Sequence, residues 1–291
     1  MTKGTKGAKN PIVKRRVLRE GKERVTYWNG DKYVGKMNGN KKDGYGRMFY
    51  HDGSKYLGYF RNDVRNGEGK FWNEDGKLQY EGAIRNNKAN GQGTRYFNDG
   101  STYKGEFINN VRQGEGEIFN KDGKIIYNGG FQNDKKHGTG TLYFIDGYKY
   151  EGEFINGVRQ GKGKIFDKDG KIVYDGEFKD NKENGTGTLY SIDGYKYEGE
   201  FINDVRQGKG KIFDKDGNMK YNGGFKDNKE NGTGTLYFSN GNRLAASFQD
   251  GKPNGGATYY YRTGGWSDIT YNKGEIVNIW HCRRDAGTQK K

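Results

Sequence analysis

Cysteine and proline are almost absent from this chain of 291 residues, which contains 1 Cys and 2 Pro. A single cysteine excludes an intramolecular disulfide and a zinc site built from several cysteines, and it favours a reducing, intracellular compartment. The sequence also lacks an apolar run of about 18 residues and the apolar segment of a secretory signal. We therefore expect neither a transmembrane helix nor secretion, and a cytoplasmic location.

Aliphatic residues are also scarce. Hydrophobic residues make up only 30% of the chain, and the mean hydropathy is -1.19, values that are typical of disordered proteins. The aromatic content contradicts disorder, because 23 Tyr, 16 Phe and 4 Trp amount to 15% of the residues, beside 51 Gly. The composition therefore predicts a folded protein whose core is aromatic rather than aliphatic.

The sequence is internally repetitive. Residues 150–173 read YEGEFINGVRQGKGKIFDKDGKIV, and residues 197–220 are nearly identical to them. Ten units of 23 or 24 residues span 33–266, and the tenth has Leu244 and Ala246 where the others have Tyr and Gly. Such a period is typical of an array in which each repeat contacts only its neighbours.

One unit has the pattern of a β-hairpin. Tyr150, Gly152 and Phe154 share one strand face because side chains alternate with period two. The segments 155–160 and 167–170 are predicted turns, and the second has the Asp-Gly signature. We expect aromatic rings to lie over the glycines. The predicted fold is all-β: an elongated, single-layer antiparallel meander of about ten hairpins. Charged side chains on its other face are interpreted as solvated.

The unit Tyr-x-Gly-x-Phe, followed by Gly-x-Gly and Asp-Gly, resembles the MORN repeat (membrane occupation and recognition nexus). Nine units match well and one is degenerate. The Tyr and Gly residues that define the repeat are Tyr33, Gly35, Tyr56, Gly58, Tyr80, Gly82, Tyr103, Gly105, Tyr127, Gly129, Tyr150, Gly152, Tyr174, Gly176, Tyr197, Gly199, Tyr221 and Gly223. The resemblance implies a sheet of hairpins. It also implies roles of the kind found in membrane junctions, radial spoke heads and protist cytoskeletal scaffolds.

Much of the net charge of +15 lies in the two ends of the chain. The predicted segments are a basic, disordered tail (1–24), a half repeat or cap (25–32), ten repeats (33–266), a capping hairpin (267–280) and a basic tail (281–291). Basic side chains of the two tails are candidate contacts for an anionic partner. These candidates are Lys14, Arg15, Arg16, Arg19, Arg283 and Arg284.

Residues with the chemistry of an active site are few. The three histidines are His51, His137 and His281, and His281 adjoins Cys282. Neighbouring residues of a strand point to opposite faces, which argues against a Cys-His dyad. The carboxylates recur with every repeat, whereas acid–base catalysis needs one special environment. We therefore predict no catalytic, cofactor or metal site, no small-molecule substrate and no enzyme activity.

The favoured function is a scaffold that binds other proteins within a multi-subunit assembly. The wealth of Lys and Asn, with little Pro, suggests an AT-rich protist genome, and this favours a ciliary, axonemal or other cytoskeletal assembly. The alternative is peripheral binding to an anionic phospholipid membrane or an acidic protein surface through the repeats and the basic tail. A regulatory subunit of a separate enzyme is a lesser alternative. Nucleic acid is disfavoured because the aromatics occupy core positions rather than a stacking platform.

Overall fold

The computed structural model describes residues 10–283, with side chains up to residue 280. Within that range the chain is all-β, with 24 strands, one short 3-10 turn and no α-helix. It divides between Leu142 and Tyr143 into two compact units. In each unit every strand pairs antiparallel with the next one in sequence, so each unit is a single-layer meander. The predicted fold class is confirmed.

The first unit contains strands β1 to β12. Their bounds are β1 Ile12–Val17, β2 Lys22–Tyr27, β3 Lys32–Asn38, β4 Lys41–Phe49, β5 Lys55–Arg61, β6 Val64–Trp72, β7 Leu78–Arg85, β8 Lys88–Tyr96, β9 Thr102–Ile108, β10 Val111–Phe119, β11 Ile125–Gln132 and β12 Lys135–Tyr143.

The second unit contains strands β13 to β24. Their bounds are β13 Lys149–Ile155, β14 Val158–Phe166, β15 Ile172–Lys179, β16 Lys182–Tyr190, β17 Lys196–Ile202, β18 Val205–Phe213, β19 Met219–Lys226, β20 Lys229–Tyr237, β21 Arg243–Gln249, β22 Lys252–Tyr260, β23 Trp266–Asn272 and β24 Glu275–Arg283.

The turn inside each repeat is shorter than the sequence predicts. In the repeat that begins at Tyr150, the predicted turn 155–160 reduces to Asn156 and Gly157, both with positive φ (52° and 93°), while β14 already begins at Val158. Two consecutive residues with positive φ form the tight hairpin connection that matches the twist of the strands. Asn and Asp occupy these positions in most repeats because they tolerate this conformation.

The repeat-defining tyrosines lie flat on one face of the sheet. Gly152 pairs with Gly163, and a bulge follows before Phe154 pairs with Arg159. The Tyr150 ring covers this glycine pair, and its hydroxyl donates a hydrogen bond to the Glu153 carbonyl at 3.1 Å. The same bond, from the tyrosine to the carbonyl three residues later, recurs in the other eight repeats that have this tyrosine. Burial raises the pKa of these tyrosines, to about 12 for Tyr150.

The N-terminal segment corrects one prediction. Residues 12–17, assigned to a disordered tail, form β1, which pairs with β2 in a register that places Arg15 opposite Val25. Backbone hydrogen bonds to the edge strand β2 order this segment, although Val13 and Val17 remain exposed. Its link to β2 is a single 3-10 turn, Arg19–Gly21. At the other end, β23 and β24 form the last hairpin around Lys273 and Gly274.

Candidate functional site

The aromatic face is the side of each sheet that carries the repeat-defining Tyr and Phe side chains. In the second unit these rings form one unbroken series of edge-to-face contacts, with centroid distances of 4.9–5.3 Å. The series runs through Tyr150, Phe178, Tyr174, Phe201, Tyr197, Phe225, Tyr221 and Phe248. Each of these rings is at most 5% exposed. The rings therefore hold the sheet together and are not themselves available to a partner.

The first unit has the same series with one interruption. Phe60 contacts both Tyr33 and Tyr56, and a second run extends from Tyr80 to Tyr127 through Phe107. Between the two runs the phenylalanine position is occupied by Ile84, which is buried but has no ring. The series of ring contacts in the first unit is thus interrupted at Ile84.

A second row of side chains lies opposite the phenylalanines, and we call it the outer row. In the first unit it consists of Lys42, Arg65, Ala89, Arg112 and Lys136, and in the second unit of Arg159, Glu183, Arg206, Glu230 and Pro253. The row is basic in the first unit, whereas acidic and basic side chains alternate in the second. Apart from Ala89, which is buried, the side chains of the outer row are half-buried.

The arginines of the outer row sit over the aromatic rings. The Arg159 guanidinium is 5.3 Å from the Tyr150 ring centroid and 5.2 Å from that of Phe178. Arg206 has the same position over Tyr197 and Phe225, at 5.3 and 5.6 Å. Such cation–π contacts add to stability. They also fix a positive charge on the outside of the aromatic layer.

Glu183 is the outer-row residue with the most perturbed acidity. Burial, reinforced by the nearby Asp204 carboxylate, raises the pKa of Glu183 to about 7, while Arg159 acts in the opposite direction. Its protonation therefore changes near neutral pH, which makes the charge of the outer row pH-dependent at this point.

A cleft opens in the first unit where the outer row has its smallest member, Ala89. The cleft has a volume of about 460 Å³ and is lined by Arg65, Arg95 and the aromatic Phe71, Tyr80 and Phe97, among others. Arg95 pairs with Tyr80 across the strands. That position holds Leu142, Ile165, Leu189, Ile212 and Leu236 in later repeats. Sequence reasoning missed this site, although these departures from the repeat pattern were the available signal.

The opposite face carries the charges that the sequence predicted as solvated. Lys164 pairs with Asp175 at 2.9 Å, and Lys70 with Glu81 at 2.7 Å. In the first unit this face also exposes a pair of aromatic rings, Tyr45 and Tyr59, whose centroids are 5.2 Å apart. They are 47% and 48% exposed, so this patch is available for contact with a partner.

Two isoleucines project from turns between repeats in the second unit. Ile145 and Ile192 are fully exposed and occupy the same place in turns of nearly identical sequence, 144–148 and 191–195. Backbone hydrogen bonds define both turns, from Gly147 to Phe144 and from Gly194 to Ser191. At the usual strand spacing the two turns, four strands apart, are about 19 Å from each other.

The predicted anionic-partner contacts are dispersed. Arg15 is engaged with the Glu23 carboxylate and donates to Asn40 Oδ1 at 3.1 Å. Lys14 and Arg16 are exposed on β1, on the face opposite Arg15, and Arg19 is exposed in the 3-10 turn. The Arg283 side chain and residue Arg284 lie outside the described part of the structure. The structure therefore brings together only Lys14 and Arg16, on one strand face.

The described residues contain no group of three or more His, Cys, Asp and Glu side chains that could hold a metal ion. No helix within residues 10–283 is long and apolar enough to cross a bilayer. His51 lies beside Asp31, with Nδ1 3.2 Å from the carboxylate oxygen. His137 lies in β12, while the side chains of His281 and Cys282 fall outside the described range.

Comparison with known proteins identifies the repeat. The family model described as MORN repeat matches nine times, at residues 33–55, 56–77, 80–102, 103–124, 127–147, 150–172, 174–194, 197–219 and 221–243. No curated protein matches the chain by sequence.

Among solved structures, the chain is matched to the TCP domain of SAS-4 (dCPAP) of Drosophila melanogaster, in complex with a proline-rich motif of Ana2 (dSTIL). The two share 12% sequence identity over 76% of this chain and 95% of that chain, with a TM-score of 0.22. A similarity this low carries no argument about structure or function.

Proposed function

The chain belongs to the MORN repeat family, and from that membership we propose that it is a non-catalytic scaffold that docks partner proteins at several points along its repeats. MORN repeats are in general modules that interact with proteins or membranes. Fold alone does not specify a partner, so the proposal depends on what the surface of this chain presents.

The observation that carries the proposal is the recurrence of exposed groups with the repeat. Ile145 and Ile192 project from matching turns, and a bare aliphatic side chain at a turn tip has no role in the packing of the sheet. Two equal contacts at a fixed spacing favour a partner that engages both, because the second contact forms at high effective concentration. The outer-row arginines Arg159 and Arg206 repeat at the same interval.

Cross-linking of the native assembly tests this function. Lys149 and Lys196 flank the two turns and provide amines for a lysine-reactive cross-linker. We expect cross-links from both lysines to the same partner polypeptide, and the double variant Ile145→Ser/Ile192→Ser should lose those cross-links. Each single variant should give a reduced yield of cross-links to the same partner. A double variant that keeps its partner would contradict docking through these turns.

We further propose that the assembly is intracellular and cytoskeletal, of the ciliary or axonemal kind. The support is the Lys- and Asn-rich, Pro-poor composition, which suggests an AT-rich protist genome, together with the resemblance to spoke-head and scaffold proteins. Co-sedimentation with isolated axonemes, followed by salt extraction, measures the association. Recovery of the protein entirely in the soluble fraction would rule this location out.

A second candidate function is peripheral binding to an anionic membrane. It is favoured by one stripe on the face opposite the aromatic face, in which the strand register aligns basic and apolar side chains. The stripe consists of Arg16, Arg24, Val34, Arg47, Leu57 and Lys70. Basic side chains beside apolar ones suit the surface of an anionic bilayer.

Flotation with phosphatidylserine vesicles tests this alternative. The variant Arg24→Gln/Arg47→Gln should reduce vesicle binding, and binding of the unaltered chain should weaken steeply with salt. The matched control is Lys162→Gln/Lys209→Gln, which removes two charges from the same face of the second unit. Equal loss of binding in both variants would show a general charge effect rather than a site.

A further inference from the structure

The cleft beside Ala89 contains two guanidinium groups that lack an acidic partner. Arg65 Nη2 donates to the Asn87 carbonyl at 3.2 Å, and Arg95 Nη2 donates to the Asn110 carbonyl at 3.2 Å. Among the described residues, neither arginine forms an ion pair with a carboxylate, although the more distant Asp134 attracts Arg95. Both side chains are half-buried, and burial lowers the pKa of Arg95. Two partly desolvated cations therefore face one cavity.

A later repeat shows that a carboxylate can lie beside such an arginine. Arg112 occupies the outer-row position two repeats after Arg65, and its Nε lies 3.2 Å from Asp134 Oδ1. The geometry around Arg65 is the same, with Asn87 Oδ1 at 3.4 Å from Nε. Beside Arg65 the chain has a neutral amide, as it has beside Arg159 (Asn181) and Arg206 (Asn228). The cleft differs from those two sites because a second guanidinium, that of Arg95, lines it as well.

The size and lining of the cleft suit an inserted side chain. Ala89, which is 6% exposed, lines the cleft, and Phe71, Tyr80 and Phe97 add aromatic walls. A volume of about 460 Å³ lies within the usual range of pockets for small ligands, 300–1,000 Å³ or so. An acidic side chain that enters would place its methylene groups against the rings and its charge between the arginines.

We propose that the Arg65–Arg95 cleft binds a carboxylate side chain of an acidic segment of a partner protein. The proposal rests on the proposed scaffold function and names the chemistry of one contact. Guanidinium and carboxylate match as paired hydrogen-bond donors and acceptors, and such charge-assisted bonds are among the stronger ones.

The test is a titration of the full chain with a short fluorescein-labelled peptide of alternating Glu and Leu, followed by fluorescence anisotropy. The same peptide with Gln in place of Glu, or with phosphoserine in place of Glu, provides the comparison. We expect the Glu peptide to bind and the Gln peptide to bind at least about tenfold more weakly. Preference for the phosphoserine peptide over the Glu peptide would overturn the proposal.

Three variants make the assignment specific. Asn87→Asp places a carboxylate beside Arg65, as Asp134 does beside Arg112. Arg95→Leu replaces the arginine with leucine, the residue found at the equivalent position 142. Each substitution should weaken binding of the Glu peptide about tenfold. Both introduce residues that other repeats have at the same position, so the circular dichroism spectrum should be unchanged. Asn181→Asp is the matched control in the second unit and should leave binding unchanged.

Equal binding of the Glu peptide to all variants would overturn the proposal, as would the absence of binding to the unaltered chain. Neither result affects the scaffold function, which depends on the cross-links around Ile145 and Ile192. Conversely, loss of those cross-links would refute the scaffold function while peptide binding in the cleft persisted. The two failures are therefore distinguishable.

Discussion

Replacement of Gly163 by Ala should destabilise the second unit through one aromatic ring. A methyl group at Gly163 would lie 2.4 Å from Tyr150 Cε2 and 2.5 Å from its hydroxyl oxygen. Ordinary contact needs about 3.4 Å, so the ring must shift by roughly 1 Å. The shift disturbs the edge contacts of Tyr150 with Phe154 and Phe178, at 5.3 and 5.0 Å, and the hydrogen bond to Glu153.

Together these effects should lower the free energy of unfolding by about 2–4 kcal/mol. Because repeat arrays need not unfold in one step, the measurement should be local as well as global. Urea denaturation gives the total change, and hydrogen exchange by mass spectrometry over β13 to β15 gives the change at the site. Gly256→Ala is the control, since a methyl group there meets no atom within 4 Å.

The tenth repeat shows that alanines can replace the paired glycines when the tyrosine is replaced by a smaller side chain. There Leu244 replaces the tyrosine, and Ala246 pairs with Ala257 where other repeats pair two glycines. Accordingly, Gly163→Ala should cost less than about 1 kcal/mol when Tyr150 is already Leu. If Gly163→Ala costs the same in both backgrounds, or nothing in the unaltered chain, the explanation of the glycines by ring packing is wrong.

Three further predictions concern the second unit. Measured by urea titration, Glu183→Gln should raise the free energy of unfolding by about 1–2 kcal/mol at pH 8 but not at pH 5. Because folding raises the pKa of Glu183 to about 7, the glutamate of the unaltered chain becomes destabilising as the pH rises through that value. Glu230→Gln is its positional control, and a pH-independent effect of Glu183→Gln would contradict the reasoning. Arg206→Ala removes the contact over Tyr197 and the bond to the Asn228 carbonyl, and should cost about 1–2 kcal/mol in thermal unfolding; an unchanged midpoint would refute a stabilising role. Asn203→Ala should cost about 1 kcal/mol because φ is 52°, whereas Asn203→Gly should be neutral, and equal effects would exclude backbone strain.

The repeat pattern was enough to predict which face is buried. Tyr150 and Phe154 recur with period two beside glycines, and only a ring laid over a bare backbone makes that combination stable. The pattern could not give the width of the central turn, because Val158 and Arg159 are compatible with either a turn or a strand. Only the pairing of Phe154 with Arg159 decides this.

The cleft and the first strand were beyond sequence reasoning for different reasons. Ala89 and Arg95 depart from the repeat pattern, but only the strand pairing that places them opposite Ile84 and Tyr80 shows that the two departures form one cleft. The segment 12–17 leaves Val13 and Val17 exposed, and its order comes from backbone pairing with β2, which side-chain patterns do not encode.

Because of the series of edge-to-face rings, the buried fraction of the surface does not increase with the number of repeats. In the second unit each repeat-defining tyrosine contacts the phenylalanine of its own repeat and that of the next, as Tyr174 does with Phe178 and Phe201. In a compact protein the buried fraction of the surface increases with size. Here an added pair of repeats brings its own interior, so the surface-to-volume ratio stays constant within a unit. Sheet length can therefore vary without any change in the packing of the existing repeats.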